Sequence, residues 1–157
     1  MKLVLLLLAA IAPLSLAQSA TPKPVDIHTA ADLQATAAKL KEEGMKKPDG
    51  MAGVTLEKYP DHLTMLTYRS QNGGAELHQH YADIFVILDG DATILTGGTI
   101  ANEKTSGEGE VRGSAVVGGT PQKLAKGDIV HISPNVPHQM LIEKGHSLVY
   151  FVVKVKQ

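Results

Sequence analysis

From Gly53 to its end the chain is cut into short runs rich in aliphatic and β-branched residues, most closed by glycine, asparagine or proline. Nine runs read as strands: 54–59, 63–70, 75–80, 84–88, 92–96, 111–117, 128–132, 138–143 and 147–155. Strands this short cannot bury a face alone, so a series of them predicts an all-β barrel or sandwich. Two runs, 84–88 and 148–153, are apolar at every position. Such strands are covered on both faces. The barrel interior takes one side, and a helix or a second subunit takes the other, which leads us to expect a homodimer.

Ahead of the strands, Thr29-Ala30-Ala31-Asp32 has the form of a helix-capping box, with Asp in place of Glu or Gln. Ala30, Leu33, Ala37 and Leu40 follow at helical spacing, and Gly44 is expected to stop a helix over 29–44. Between the middle strands, residues 97–119 hold seven glycines and a charged stretch. A structureless loop of that length is unusual in a compact domain. The expectation is an extended hairpin with its tip around 105–109, serving either as a lid or as a tolerated surface insertion.

The N-terminus reads differently. Lys2 precedes an apolar run, Leu3 to Ala12, and Ser15-Leu16-Ala17 supplies small residues where a signal peptidase reads. Residues 1–17 are expected to be a secretory signal peptide, too short in their apolar part for a membrane span, followed by a flexible lead at 18–28. The exported chain would be secreted or periplasmic and free of the membrane after cleavage. Without Lys2 it carries 14 basic against 16 acidic residues, a formal charge of −2. No basic patch suggests a nucleic-acid partner. Cysteine is absent, so the fold rests on its core without disulfides.

The residues that point to chemistry are His78, His80, Asp83 and His138. In a strand, residues two apart share a face, so His78 and His80 would project together. His138 ends the turn Ser133-Pro134-Asn135-Val136-Pro137, which would present its imidazole to a neighbouring strand. Imidazoles plus a carboxylate suit a first-row divalent ion: zinc, manganese, iron or nickel. His131 alternates with Val130 and Ile132 and should face outward. His28, His62 and His146 are expected in solvent. Tyr81 could meet a substrate or fill the barrel mouth. Gln139 could orient His138 or bind solvent. Tyr68 or Arg69 could meet an anion, although a cross-strand ion pair is the commoner fate of such an arginine.

Two longer stretches resemble the motifs of the cupin superfamily of small metal-binding β-barrels. The first is Gly73-Gly74-Ala75-Glu76-Leu77-His78-Gln79-His80-Tyr81-Ala82-Asp83, closed by Gly90; the second runs from Gly127-Asp128 through Pro137-His138-Gln139. The resemblance spans roughly 53–155 and implies a single jelly-roll barrel with His78, His80, Asp83 and His138 around one metal. Two departures matter. Asp83 stands where the family usually has Glu, and only Tyr81 and Ala82 separate it from His80. The shorter connection either compensates for the shorter acid or leaves Asp83 off the metal, with three histidines as ligands.

The resemblance implies a metal-dependent enzyme acting on a small organic molecule, with isomerase, lyase and oxygenase chemistry all open. A non-catalytic metal-binding or small-ligand-binding barrel is the alternative. A titratable side chain within reach of the metal position favours the enzyme; a sealed apolar pocket favours the binder.

Overall fold

A computed structural model describes residues 25–157. The expected signal peptide, and the lead as far as residue 24, lie outside the described residues. Among these, no helix is long and apolar enough to cross a membrane.

The helix of the described residues, α1 (Ala30–Gly44), starts with the anticipated capping box. Thr29 Oγ1 accepts from the Asp32 backbone N–H, and the Asp32 carboxylate accepts from the Thr29 N–H, both at 3.2 Å. At the other end Gly44 does more than end the helix. A Cβ there would come 2.7 Å from the ring of Tyr68, so glycine lets the last turn close onto the sheet. Leu40, Leu33 and Ala37 pack with Ala52, Leu56, Leu66, Tyr68, Leu88 and Val149 in a core on the outer face of the barrel. The helix thus takes part of the outward face of both all-apolar strands.

The strands are β1 (Met51–Lys58), β2 (His62–Arg69), β3 (Ala75–His78), β4 (Tyr81–Thr96), β5 (Thr99–Ala101), β6 (Lys104–Gly107), β7 (Glu110–Gly113), β8 (Ala115–Val117), β9 (Thr120–Ala125), β10 (Ile129–Ile132), β11 (His138–Leu141) and β12 (Leu148–Lys156). The runs expected at 84–88 and 92–96 are one strand, β4. Its first half pairs with β12 and β10, and its second half with β9 and β11. The corner is Gly90, at φ +81°, where a Cβ would lie 1.9 Å from the Ser147 carbonyl oxygen. Opposite the corner, β12 shifts register between Val149 and Tyr150. Glycine and bulge together bend one strand through both faces of the barrel. Phe85, Ile87, Ile94, Leu124, Ile132, Met140, Leu148, Tyr150 and Val152 fill the interior.

Residues 97–119 fold more tightly than a single extended hairpin. β5 pairs with β8, and β7 pairs with both β6 and β3. Residues 105–108 are exposed as anticipated for a tip, but β7 is an integral strand of the sheet.

Candidate metal centre

The site is a grid of cross-strand pairs. Glu76 and His78 are two residues apart on β3 and share a face. Across the ladder, His138 of β11 stands opposite Glu76, Glu110 of β7 opposite His78, and Arg112 opposite Glu76. On the facing half of the barrel Asp83 of β4 stands opposite Lys154 of β12. Directly opposed residues keep their side chains within reach, so the register alone assembles the group.

The two halves meet at the imidazoles. His78 Nε2 lies 3.2 Å from Asp83 Oδ2 and 3.5 Å from Glu76 Oε2. His138 Nε2 lies 3.6 Å from Asp83 Oδ2 and 4.0 Å from Glu76 Oε2. Glu76, His78 and His138 each offer a donor atom within 4.8 Å of the others, a spacing open to one metal ion. Lys154 Nζ sits 3.0 Å from Asp83 Oδ1 and 2.9 Å from His78 Nε2. His78, Asp83 and His138 are all buried.

Each imidazole is aimed by its other nitrogen. His138 Nδ1 contacts the Val136 carbonyl at 3.0 Å, so it carries the proton, and its Nε2 lone pair faces the group. That Nε2 is buried without a hydrogen-bond partner. His78 Nδ1 contacts Glu110 Oε2 at 2.8 Å, a carboxylate–histidine pair. The turn that delivers His138 is tied to the same strand end, because Asn135 N–H donates to the His78 carbonyl at 2.8 Å. Asn135 has φ +64°, the left-handed conformation that asparagine tolerates.

The two rings titrate in opposite directions. Burial pushes His138 down, with the Val136 carbonyl pulling weakly the other way, so the ring is a neutral donor. Burial also disfavours charge on His78, but hydrogen bonds to Asp83 and Glu76 outweigh it and raise the ring to about 9. Burial pushes Glu76 up, yet the His78 hydrogen bond and the Arg112 charge bring it down to about 2. Asp83 is likewise lowered: against the penalty of burial stand its His78 hydrogen bond and the Lys154 ammonium. The group thus gathers three acidic side chains, Glu76, Asp83 and Glu110, around the basic side chains of Lys154 and Arg112. The carboxylates beside His78 favour positive charge at that position, which a proton on the ring supplies and a metal ion would replace. The donor chemistry and the unpartnered His138 Nε2 fit a metal.

Of the residues anticipated from sequence, His78, Asp83 and His138 come together and His80 does not. β3 ends at His78, so strand alternation stops there. His80 is exposed and turns to the β6–β7 turn, where a Cβ on Gly109 would lie 2.4 Å from its ring. Glu76 stands in its place, one strand period before His78, a signal present in Glu76-Leu77-His78 itself. Glu110 and Lys154 carry no local motif and become visible only through register. Gln139 clamps backbone: it donates to the Gly73 carbonyl at 2.7 Å and accepts from Val116 N–H at 3.0 Å. His131 is exposed on β10.

No family model matches the sequence, and no curated protein matches it either. Solved structures do resemble the fold. The Cnp3 cupin domain of Schizosaccharomyces pombe aligns over 68% of this chain and 65% of its own, at 9% identity and TM-score 0.52. A conserved protein with a double-stranded β-helix domain from Klebsiella pneumoniae aligns over 67% and 76%, at 14% identity and TM-score 0.50. The DMSP lyase DddQ of Ruegeria pomeroyi aligns over 67% of this chain, at 17% identity and TM-score 0.49, and this chain spans 46% of its length. At these identities the likeness concerns architecture alone. The two sheet halves turned by Gly90, with polar side chains converging inside the mouth, give this chain the fold of a cupin-type β-barrel.

Proposed function

We propose that the chain is a metal-dependent cupin acting on a small organic molecule at a centre formed by His78, His138, Glu76 and Asp83. One observation carries the reading: the buried, unpartnered His138 Nε2 is aimed at the same carboxylates, Asp83 and Glu76, that His78 Nε2 approaches. Relative to the set expected from sequence, Glu76 replaces His80. The donors suit zinc, manganese, iron or nickel. Such an ion would supply Lewis-acid polarisation of a carbonyl or enediol, or dioxygen chemistry if it is iron.

The chain's own residues add proton handling. Lys154 Nζ, beside Asp83 and His78 and partly open to solvent, is a titratable group able to hold or deliver a proton at the mouth. Its presence favours an enzyme over a passive binder. The non-catalytic reading has its own support: the cavity beside His138 is only about 30 Å³, room for a very small ligand. Elemental analysis of protein purified from its native compartment tests the centre. Iron favours the oxygenase, zinc or manganese favours an isomerase, lyase or binder, and a folded barrel without stoichiometric metal rejects the reading.

Export and dimerisation belong to the same proposal. N-terminal sequencing should find Gln18 first. Ile129 is exposed, and Val86, its partner across the ladder, and Phe151 are half-buried on the same outward face, apolar surface suited to a second copy. Light scattering at micromolar concentration that finds only monomer rejects the dimer.

A further inference from the structure

Arg69 ends β2 with its side chain turned into the barrel, 7% exposed, opposite the fully buried Leu148. The cross-strand ion pair usual for such an arginine is missing. None of the ion pairs among the described residues includes Arg69; the nearby Glu76 pairs with Arg112. The guanidinium has weak company. Nη2 lies 3.0 Å from the Met51 thioether, the Tyr150 hydroxyl shares a hydrogen bond, and Nε has no partner. The Gly73 segment lies against it, since a Cβ on Gly73 would come 3.0 Å from Nη1. Gly73 offers little relief, because its N–H donates to the Met140 carbonyl and its own carbonyl accepts from Gln139. Buried charges in proteins are ordinarily paired. This one is not.

The guanidinium lines the small cavity that also reaches Glu76, His138, Gln139 and Tyr150. We infer that Arg69 is the anion-binding group of this cavity, taking the carboxylate of a small organic acid whose remainder faces the His138 and Glu76 side. The planar fork of arginine matches a carboxylate with two parallel hydrogen bonds, and a volume of about 30 Å³ admits a group of that size. The inference deepens the small-molecule reading by naming the substrate class.

Metal-free full-length protein, titrated with acetate and with its neutral isostere acetamide at constant ionic strength and followed by thermal shift and NMR, tests it. Acetate should bind saturably and raise Tm, while acetamide should not. Arg69→Met should weaken acetate at least tenfold and leave the barrel folded, since no ion pair is broken; Arg69→Lys should keep part of the affinity. If the methionine variant does not fold, Arg69→Gln carries the same comparison, retaining hydrogen-bond donors without the charge. Equal responses to acetate and acetamide, or unchanged acetate affinity in the uncharged variant, overturn the inference. Metal stoichiometry of the variants is measured separately. Arg69-dependent acetate binding in a protein that takes no metal leaves the anion site standing and removes the metal centre, and the reverse result removes only the anion site.

Discussion

The molecule assembles a histidine, an aspartate, a glutamate and a lysine twice. Inside the barrel mouth they are His78, Asp83, Glu76 and Lys154. On the surface they are His146, Asp91, Glu143 and Lys123, where His146 Nδ1 pairs with Asp91 at 2.9 Å and Lys123 pairs with Glu143. The chemistry of the two sets is the same and the surroundings are opposite. In the outer set every side chain is between 45 and 74% exposed, so water screens each pair and the contacts contribute little. In the inner set His78 and Asp83 are almost fully enclosed, at 2 and 3%. There a missing charge is costly, and burial holds the neighbouring imidazole of His138 neutral. Composition does not distinguish the two quartets; burial does.

The comparison breaks most sharply at the metal. His138→Ala should abolish stoichiometric metal binding while the barrel stays folded, whereas His80→Ala, an exposed neighbour in the same motif, should bind as the parent does. Elemental analysis with isothermal titration reads both. If His80→Ala also lost the metal, His80 would belong to the centre together with His78.

Stability comes next. Removing the buried acid by Asp83→Ala leaves Lys154 and His78 facing each other without the carboxylate between them. Uncompensated buried charge is expected to cost the metal-free protein about 3 kcal/mol, the low end for a broken buried pair because Lys154 can turn toward solvent. Urea denaturation measures it. The same truncation outside, Glu143→Ala, should leave the urea midpoint unchanged within error.

How far the inner quartet could be read from sequence follows from the same contrast. The strands emerged because alternation and glycine turns are local signals, and His78, Asp83 and His138 because they sit in two compact motifs. β9 was missed: Pro121, Gln122 and Lys123 show no apolar run, and the strand holds by pairing with the second half of β4. Gly90 looked like a turn between two strands, yet its positive φ bends a continuous one. Glu110 and Lys154 are 32 and 76 residues from His78. Their roles depend on which residue each faces across the ladder, and no local pattern carries that. His80 lies beyond the end of β3, so strand alternation does not align it with His78.

Glu110 tests whether such a distant partner tunes the site. Glu110→Gln keeps the size of the side chain and weakens the hold on His78 Nδ1. A residue that orients a ligating imidazole is worth roughly 10- to 100-fold in metal affinity, and the fold should be unaffected because Glu110 lies at the edge of the group. Competition titration with a chromophoric chelator gives the number. Unchanged affinity would reduce the Glu110–His78 contact to the status of the surface pairs.

The smallest effect belongs to the outer histidine, where the contrast is one of sign. The hydrogen bond to Asp91 raises His146 above its ordinary value of 6.5, while burial lowers His138 below it. A proton is therefore bound more tightly to His146 in the folded chain than in the unfolded one. The pair's contribution is complete below pH 6.5 and fades as pH climbs through the folded value. In an NMR titration the His146 ring should show a midpoint above 6.5, and Asp91→Asn should bring it back toward that value without a measurable change in Tm near neutral pH. His138 in the same spectra should remain neutral down to a lower pH and be indifferent to Asp91→Asn. A His146 midpoint at or below 6.5 in the parent would show that the surface pair does not persist in solution, and that among these contacts only enclosed ones hold their partners.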